Sequence, residues 1–205
     1  MQTGCAPLEG SSVLLLSGGV ESATLLYLWK DKSIWPLLWP EGGRCGTESL
    51  SAALGISGEV TGRVGEAFRA LQAPARLHVP LPHRNLALLS LAASYATQVG
   101  CPTLALALNK EDLGSYSSSS EDFLTNFRRL TTSLTPPLSV ETPLDHLSKA
   151  DVIRSGASSG VPYRLSYSCM VGRPLHCGRC SQCKQRRRAF EDAGLSDLDA
   201  PYEGG

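Results

Sequence analysis

Five short runs of apolar residues, separated by segments with helical periodicity, most constrain what this chain can fold into. Most of the runs are continuous rather than alternating, as in strands that are buried on both faces. Because strands that alternate with helices pair in parallel through right-handed crossovers, the pattern predicts an open, doubly wound α/β parallel sheet of about five strands. The runs are Val13 to Leu16, Ile34 to Trp39, Leu77 to Val79, Leu104 to Leu108, and Leu138 to Val140.

The helical segments between these runs carry start and stop signals. Ser148 and Asp151 fit a capping box, and Gly100 ends a segment with apolar residues at helical spacing. Helices are predicted at Ala23 to Lys30, at Val64 to Leu71, from near Pro82 to Gly100, at Glu121 to Ser133, and from Ser148 onward.

The composition excludes several classes of protein. Nineteen Lys and Arg residues balance nineteen Asp and Glu residues, so the chain lacks the overall charge that holds a protein on nucleic acid or an anionic membrane. Residues 1–12 have no basic segment followed by a long apolar one, and no stretch of about 18 apolar residues occurs. A soluble cytoplasmic protein with no membrane contact is therefore expected.

A glycine turn follows the first apolar run, in the segment Ser17-Gly18-Gly19-Val20-Glu21-Ser22. The two glycines permit positive φ and leave no Cβ between the backbone amides and an incoming group. Successive amides before a helix N-terminus form an anion site, and the serine hydroxyls add donors. This segment is predicted to bind phosphate or pyrophosphate, although a Gly-Gly pair alone also fits a purely structural turn.

Polar residues follow the later strands as well. Because ligands of such sheets bind beyond the carboxyl ends of the strands, residues that follow the strands are candidates for nucleotide or substrate contacts. These candidates are Arg84, Asn85, Asn109, Glu111 and Asp112.

Four of the seven cysteines form a cluster with the spacing C-x7-C-x2-C-x2-C: Cys169, Cys177, Cys180 and Cys183. Without a secretion signal, such spacing favours metal binding over disulfides, and four sulfur ligands suit a structural zinc. An iron-sulfur cluster, unliganded thiols or disulfides remain alternatives. The predicted division is a flexible N-terminus (1–12), an ATP-binding α/β domain (13–165) and a zinc-binding helical region (166–205).

These motifs together resemble a known family. The string Ser-Gly-Gly-x-acid-Ser after a buried strand resembles the PP-loop of N-type ATP pyrophosphatases, which have the adenine nucleotide alpha hydrolase-like fold. Further motifs extend the likeness, in order and over nearly the whole chain, to the 7-cyano-7-deazaguanine synthase (QueC) family. These are Pro82 to Asn85, Asn109 to Asp112, Thr142 to Ala150, and the cysteine region ending Ala189-Phe190-x-x-Ala193-Gly194.

The resemblance implies an ATP-dependent C–N ligase of the queuosine pathway. Such an enzyme adenylates 7-carboxy-7-deazaguanine, forms an amide with ammonia, and converts that amide to the nitrile with a second ATP. It implies structural zinc, Mg²⁺ with ATP, and a homodimer. Ser17, Gly18, Gly19 and Ser22 would bind phosphate, with Glu21 near Mg²⁺ and pyrophosphate. Arg84 and Asn85 would lie by the nucleotide or substrate, and Lys149 would neutralise the departing pyrophosphate.

Three segments depart from the family pattern. Glu21 stands where the family has aspartate, Trp39 to Gly43 replaces Tyr-Gly-Gln, and Tyr116 to Ser119 replaces Tyr-Pro-Asp-Cys. Two other functions therefore stay open. One is a paralogue in a defence or modification system that transfers a related deazapurine acid to another amine, on a protein or nucleic acid. The other is a non-catalytic PP-loop scaffold that binds a partner.

Overall fold

In the part of the chain that the structure describes, four parallel strands form the central sheet, in the order β2-β1-β3-β4. The computed structural model describes residues 11–32, 34–38, 83–115, 117–171, 175–196 and 202–203. Leu14 in the central β1 is in register with Pro36 on one side and Ala105 on the other. The predicted parallel α/β sheet is confirmed. The strands are β1 (Ser12–Leu16), β2 (Ile34–Leu38), β3 (Thr103–Ala105) and β4 (Ser139–Glu141).

Helices alternate with these strands. The predicted capping box is present, because the Ser148 side chain accepts a hydrogen bond from the Asp151 amide and the Asp151 carboxylate accepts one from Ser148. Gly100 follows the second helix with φ 75°, as its predicted stop position requires. The helices are α1 (Val20–Leu28), α2 (Arg84–Gln98), α3 (Glu121–Thr132), α4 (Lys149–Ser158) and α5 (Ser181–Asp192).

Some element boundaries differ from the prediction. Helix α1 begins at Val20 rather than Ala23, because Gly19 is already its N-cap. Strand β3 ends at Ala105 rather than Leu108, since its partner β4 ends at Glu141. The predicted strand at 77–79 and the predicted helix at 64–71 lie outside the described residues.

Both faces of the sheet are covered. Leu14 and Leu16 pack with α1, α4 and α5, whereas Val13 packs with α2 and α3. This two-sided burial explains why the apolar runs are continuous. Phe190 of α5 belongs to the first of these cores, so the helix that begins at the cysteine cluster packs into the core on that face of the sheet. Among the described residues, no helix is long and apolar enough to cross a membrane.

A close contact between α1 and α4 fixes the two helices that reach the candidate site. A Cβ placed on Gly156 would lie 1.9 Å from the Tyr163 hydroxyl oxygen and 2.7 Å from Thr24 Oγ1. These two hydroxyls are themselves hydrogen-bonded at 2.7 Å. The absence of a side chain at Gly156 therefore lets α4 approach α1.

We predict that Gly156→Ala destabilises the protein by about 2 kcal/mol, because the added methyl displaces the Tyr163 hydroxyl and separates the helices. Urea unfolding monitored by circular dichroism measures this change. Gly114→Ala is the matched control, since a Cβ there meets no atom within 4 Å. A Gly156→Ala midpoint equal to that of the control would contradict this account of the helix contact.

Candidate functional site

The glycine turn joins β1 to α1 with its backbone amides at the helix N-terminus. Of the two glycines only Gly18 has positive φ, at 77°, while Gly19 is extended at φ −73° and ψ 172°. A Cβ on Gly19 would make ordinary contacts, 3.4 Å from Ser17 Oγ and 3.6 Å from Glu21 Oε2. Gly19 is therefore not required by backbone conformation or by internal crowding. What it provides is a backbone amide with no Cβ of its own residue beside it.

Two serine hydroxyls hold the turn in shape. Ser17 Oγ lies 3.2 Å from Ser22 Oγ and accepts a hydrogen bond from the Gly19 amide at 3.4 Å. Ser22 Oγ also lies 3.2 Å from the Gly19 carbonyl oxygen, to which it can donate. Ser17 is exposed, whereas Ser22 is buried. Ser17 is thus the hydroxyl of this pair that an incoming anion can reach.

A largely buried ion pair, formed by Glu21 of α1 and Lys149 of α4, lies beside the glycine turn. Lys149 Nζ is 2.7 Å from Glu21 Oε1, and each side chain is only 14% exposed. Burial opposes ionisation of Glu21, but the charge and hydrogen bond of Lys149 hold the pKa of Glu21 below its usual value. Burial likewise opposes the charge of Lys149, but the charge and hydrogen bond of Glu21 together outweigh burial and raise the pKa of Lys149. Both groups are therefore charged at neutral pH.

Asn109, in the loop that follows β3, donates a hydrogen bond to the same carboxylate. Its amide Nδ2 donates to Glu21 Oε1 at 2.9 Å, and the residue is 1% exposed. Asn109 Oδ1 accepts from the Asp112 amide at 2.9 Å, and Asp112 Oδ2 accepts from the Asn109 amide at 3.0 Å. Glu111 Oε2 accepts from the Lys149 amide at 3.1 Å. The loop after β3 thus binds both α1 and α4.

The predicted site residues fall into two groups. The structure brings the glycine turn together with Glu21, Asn109, Glu111, Asp112 and Lys149. Asn85 instead donates from Nδ2 to the Ser118 carbonyl at 3.2 Å, and the adjoining Ser119 hydroxyl donates to the Asp112 carbonyl at 2.7 Å. Asn85 is therefore linked to the site through the Ser117–Ser119 turn. Arg84 begins α2, and its side chain lies outside the described residues.

Asp112 gives the site a measurable pH response. Burial and the nearby Glu21 charge raise the pKa of Asp112 to about 6, from 3.8. The folded protein then binds this proton more tightly than the unfolded chain, so its stabilising effect is lost as pH rises from 4 to 7. We predict that Asp112→Asn removes roughly 3 kcal/mol of this pH-dependent loss, since each pKa unit corresponds to about 1.4 kcal/mol. Urea unfolding of both proteins at several pH values tests it, and parallel curves would contradict it.

The four clustered cysteines converge as the sequence predicts. Their sulfur atoms all lie within 4.8 Å of one another. Four thiolates around one tetrahedral zinc ion would lie about 3.8 Å apart, whereas a [4Fe–4S] cube spreads its thiolates over four outer corners. The arrangement therefore fits a single metal ion.

Backbone amides surround the cysteine sulfurs. Cys169 Sγ accepts from the amides of Val171 and Cys177, each at 3.4 Å. Cys177 Sγ accepts from the Cys180 amide, and Cys180 Sγ from the Cys183 amide, also at 3.4 Å. Hydrogen bonds from the amides of Arg179 and Cys180 lower the pKa of Cys177 to about 6. Such bonds favour the thiolate form that binds metal.

Sequence reasoning missed one buried cation. The basic run from Lys184 to Arg188 is typical of a solvated helix face, and four of its five side chains are exposed, but Arg186 is 0% exposed. Its guanidinium donates to the Ser166 hydroxyl at 2.7 Å and to the Tyr163 carbonyl at 3.0 Å. The sequence does contain an indication of this burial, because Cys183, Arg186 and Phe190 are spaced so that they lie on one face of a helix.

Comparison with solved structures defines the class of the fold. The U34-tRNA thiolase NcsA from Methanococcus maripaludis, with its [4Fe-4S] cluster, is similar with a TM-score of 0.58 and 18% identity, over 89% of this chain and 66% of that chain. The NMN synthetase from Francisella tularensis is similar with a TM-score of 0.55 and 17% identity, over 95% of this chain and 81% of that chain. The fold is that of the PP-loop ATP pyrophosphatases.

Sequence comparison then defines the family. The family model described as "Queuosine biosynthesis protein QueC" matches residues 62–194. The 7-cyano-7-deazaguanine synthase of Nitratiruptor sp. is 30% identical, over 94% of this chain and 98% of that protein. The synthase of Methylococcus capsulatus is 31% identical, over 91% of this chain and 96% of that protein. The chain belongs to the QueC family.

Proposed function

We propose that this protein is an ATP-dependent 7-cyano-7-deazaguanine synthase. The observation that carries the proposal is the junction of an open glycine turn with the buried Glu21–Lys149 pair at the carboxyl edge of the sheet. Anion-binding amides, a serine hydroxyl, a cation and an acid meet there, and these are the groups that a reaction releasing pyrophosphate from ATP needs. Likeness to synthases over nearly the whole chain supplies the substrate class.

The proposed chemistry uses two ATP molecules. A carboxylate oxygen of 7-carboxy-7-deazaguanine attacks the α-phosphorus of ATP, and pyrophosphate leaves. Ammonia then displaces AMP at the acyl carbon and gives the amide. The amide oxygen attacks a second ATP in the same way, and loss of AMP and protons leaves the nitrile. None of these steps requires a nucleophilic side chain of the protein.

The residues of the site position the reactants and offset charge. The amides of Gly18 and Gly19 and the hydroxyl of Ser17 bind phosphate oxygens, while the buried Ser22 hydroxyl holds the turn in shape. Lys149 neutralises the charge that develops on the departing pyrophosphate. Its pairing with Glu21 holds the ammonium group at the turn before ATP arrives, so little reorganisation is needed. The polar loop Asn109 to Asp112 lies beside them, where the nucleotide or the acid binds.

Two metals complete the proposal. Mg²⁺ would enter with ATP and offset phosphate charge, and the carboxylate of Glu21 would supply an oxygen ligand to it. Zinc would be held by Cys169, Cys177, Cys180 and Cys183. With four sulfur ligands it has no open position for water, so its contribution is to folding.

Removal of the zinc is predicted to unfold the C-terminal region before the sheet. The ligands span residues 169–183, where the described chain has little regular structure apart from the start of α5. A strong chelator should increase hydrogen exchange of 169–190 by at least about tenfold while β1 and β3 stay protected. Uniform exchange across the chain after chelation, or no change in 169–190, would contradict this.

Product analysis tests the function. The purified protein is incubated with ATP, Mg²⁺, ammonium and 7-carboxy-7-deazaguanine, and products are identified by mass spectrometry. The proposal predicts the nitrile, AMP and pyrophosphate, with the amide as a transient species. Amide alone, or AMP formed only with a protein or nucleic-acid amine, would indicate the paralogue function. Absence of ATP binding by calorimetry would indicate a scaffold.

A further inference from the structure

A short segment connects the cysteine cluster to the glycine turn. We propose that residues 166–169, here called the connector, couple metal binding at the cysteines to nucleotide binding at the turn, with Arg186 as the positioning residue. The inference rests on the ATP site proposed above. It assigns to the cysteine region a role in nucleotide affinity in addition to folding.

Each residue of the connector contacts the glycine turn or the cysteine region. The Tyr167 amide donates to the Gly18 carbonyl at 2.7 Å, so the connector touches the turn directly. The Ser168 amide donates to Nε2 of the buried His176, at 3.1 Å, within the cysteine region. Cys169 is itself one of the four clustered cysteines. Only one residue, Ser168, therefore lies between the residue that contacts the turn and the first clustered cysteine.

Arg186 holds the other end of the connector. Its Nη1 donates to Ser166 Oγ at 2.7 Å and lies 3.4 Å from the Ser166 carbonyl, while Nη2 donates to the Tyr163 carbonyl at 3.0 Å. Its guanidinium also lies 5.1 Å from the ring of Phe190. A fully buried guanidinium is costly unless such acceptors are in place, so α5 and the connector must keep this relative position.

Helix α5 connects Arg186 to the clustered cysteines. Cys180 is its N-cap and Cys183 lies in its first turn, one helical step before Arg186. The position of Arg186 therefore depends on the fold of the cysteine cluster. If the cluster opens, Arg186 loses its alignment with Ser166, and the Tyr167 amide loses its alignment with Gly18. Gly18 is the glycine of the turn that has positive φ, so its carbonyl orientation sets the direction of the following amides.

The consequence is a thermodynamic linkage. If metal binding stabilises the conformation of the turn that binds phosphate, zinc must tighten nucleotide binding, and nucleotide must tighten zinc binding by the same factor. We expect a factor of about ten, within the range usual for coupled sites.

The experiment measures both halves of this linkage. Calorimetry gives the Kd of α,β-methylene-ATP with Mg²⁺ for zinc-loaded and zinc-free protein. Competition with a chromophoric chelator gives the zinc affinity with and without α,β-methylene-ATP. The inference predicts that both factors are about ten and equal. If either ligand changes the affinity of wild-type protein for the other by less than twofold, the inference is overturned, and no variant is needed to show this.

Variants then test the role of Arg186. Arg186→Met should weaken nucleotide binding by zinc-loaded protein about tenfold and reduce the linkage factor to within twofold of one. Arg188→Met is the matched control, because that side chain is 83% exposed on the same helix, and it should keep both values. If Arg186→Met does not fold, Ser166→Ala keeps the guanidinium and removes two hydrogen bonds of the Ser166 hydroxyl, the one from Arg186 at 2.7 Å and the one to the Tyr163 carbonyl at 2.7 Å, and it should reduce the linkage factor at least twofold.

The outcomes separate this inference from the proposed function. Nucleotide binding without linkage, or a wild-type linkage factor in Arg186→Met or in Ser166→Ala, overturns the coupling and leaves the enzyme proposal intact. Absence of nucleotide binding in both zinc-loaded and zinc-free protein overturns both proposals.

Discussion

Glu21→Ala will abolish the pyrophosphate release that depends on 7-carboxy-7-deazaguanine, with a fall of at least about 10³-fold, whereas Glu21→Asp will keep or raise it. Alanine removes the carboxylate that pairs with Lys149 at 2.7 Å and accepts from Asn109 at 2.9 Å. The two donors are then left in a buried site without their shared acceptor, and the proposed Mg²⁺ ligand is lost. Aspartate keeps the charge, and the flexible stem of Lys149 can follow the shorter side chain. A coupled pyrophosphate assay measures both variants.

Glu21→Gln separates the charge of this residue from its size. Glutamine keeps the length of the side chain and an oxygen that can accept from Asn109, but it is a neutral group beside Lys149. We expect its pyrophosphate release to resemble that of the alanine variant. Normal turnover by Glu21→Ala would show that the assigned role of this carboxylate is wrong.

Lys149→Met will lower kcat for pyrophosphate release by about 10² to 10³-fold, the usual effect of removing one group that stabilises developing charge. Methionine has a similar length and no charge, so it also leaves Glu21 buried without its cation, and the pKa of Glu21 should rise. Steady-state kinetics at saturating ATP measure the change in kcat.

Lys30→Met is the control for Lys149. Lys30 is exposed just beyond the end of α1, away from the glycine turn, and its replacement should leave kcat unchanged. Lys149→Arg should recover part of the activity, because it restores a cation with different geometry. A Lys149→Met kcat within threefold of wild type would remove Lys149 from the proposed mechanism.

Sequence reasoning identified those parts of the fold that local patterns encode. The continuous apolar runs predict a sheet covered on both faces, and Ser148 with Asp151 predicts the start of α4. The cysteine spacing predicts a cluster whose sulfur atoms lie within 4.8 Å of one another. Each of these features depends on residues close together in the chain, so the pattern is visible without tertiary structure.

Other features depend on contacts between distant segments. The rule for parallel sheets predicts that Glu21 and Asn109 lie at one edge of the sheet. It does not predict that Asn109 donates to the Glu21 carboxylate or that Lys149 pairs with the same carboxylate. The spacing of α5 places Arg186 on its buried face, but the acceptors of its guanidinium, on Tyr163 and Ser166, lie 20 or more residues earlier in the chain, and no local pattern identifies them. The strand at 103–105 is shorter than its apolar run, because pairing stops where its partner strand ends.

Oxygen transfer from the substrate to AMP tests the central claim most directly. The acid is labelled with ¹⁸O in both carboxylate oxygens and incubated with ATP, Mg²⁺ and ammonium, and the AMP is analysed by mass spectrometry. If the carboxylate and then the amide oxygen attack the α-phosphorus, each AMP carries one ¹⁸O, and two AMP form per nitrile. Unlabelled AMP, or ADP and phosphate in its place, would contradict the proposed reaction.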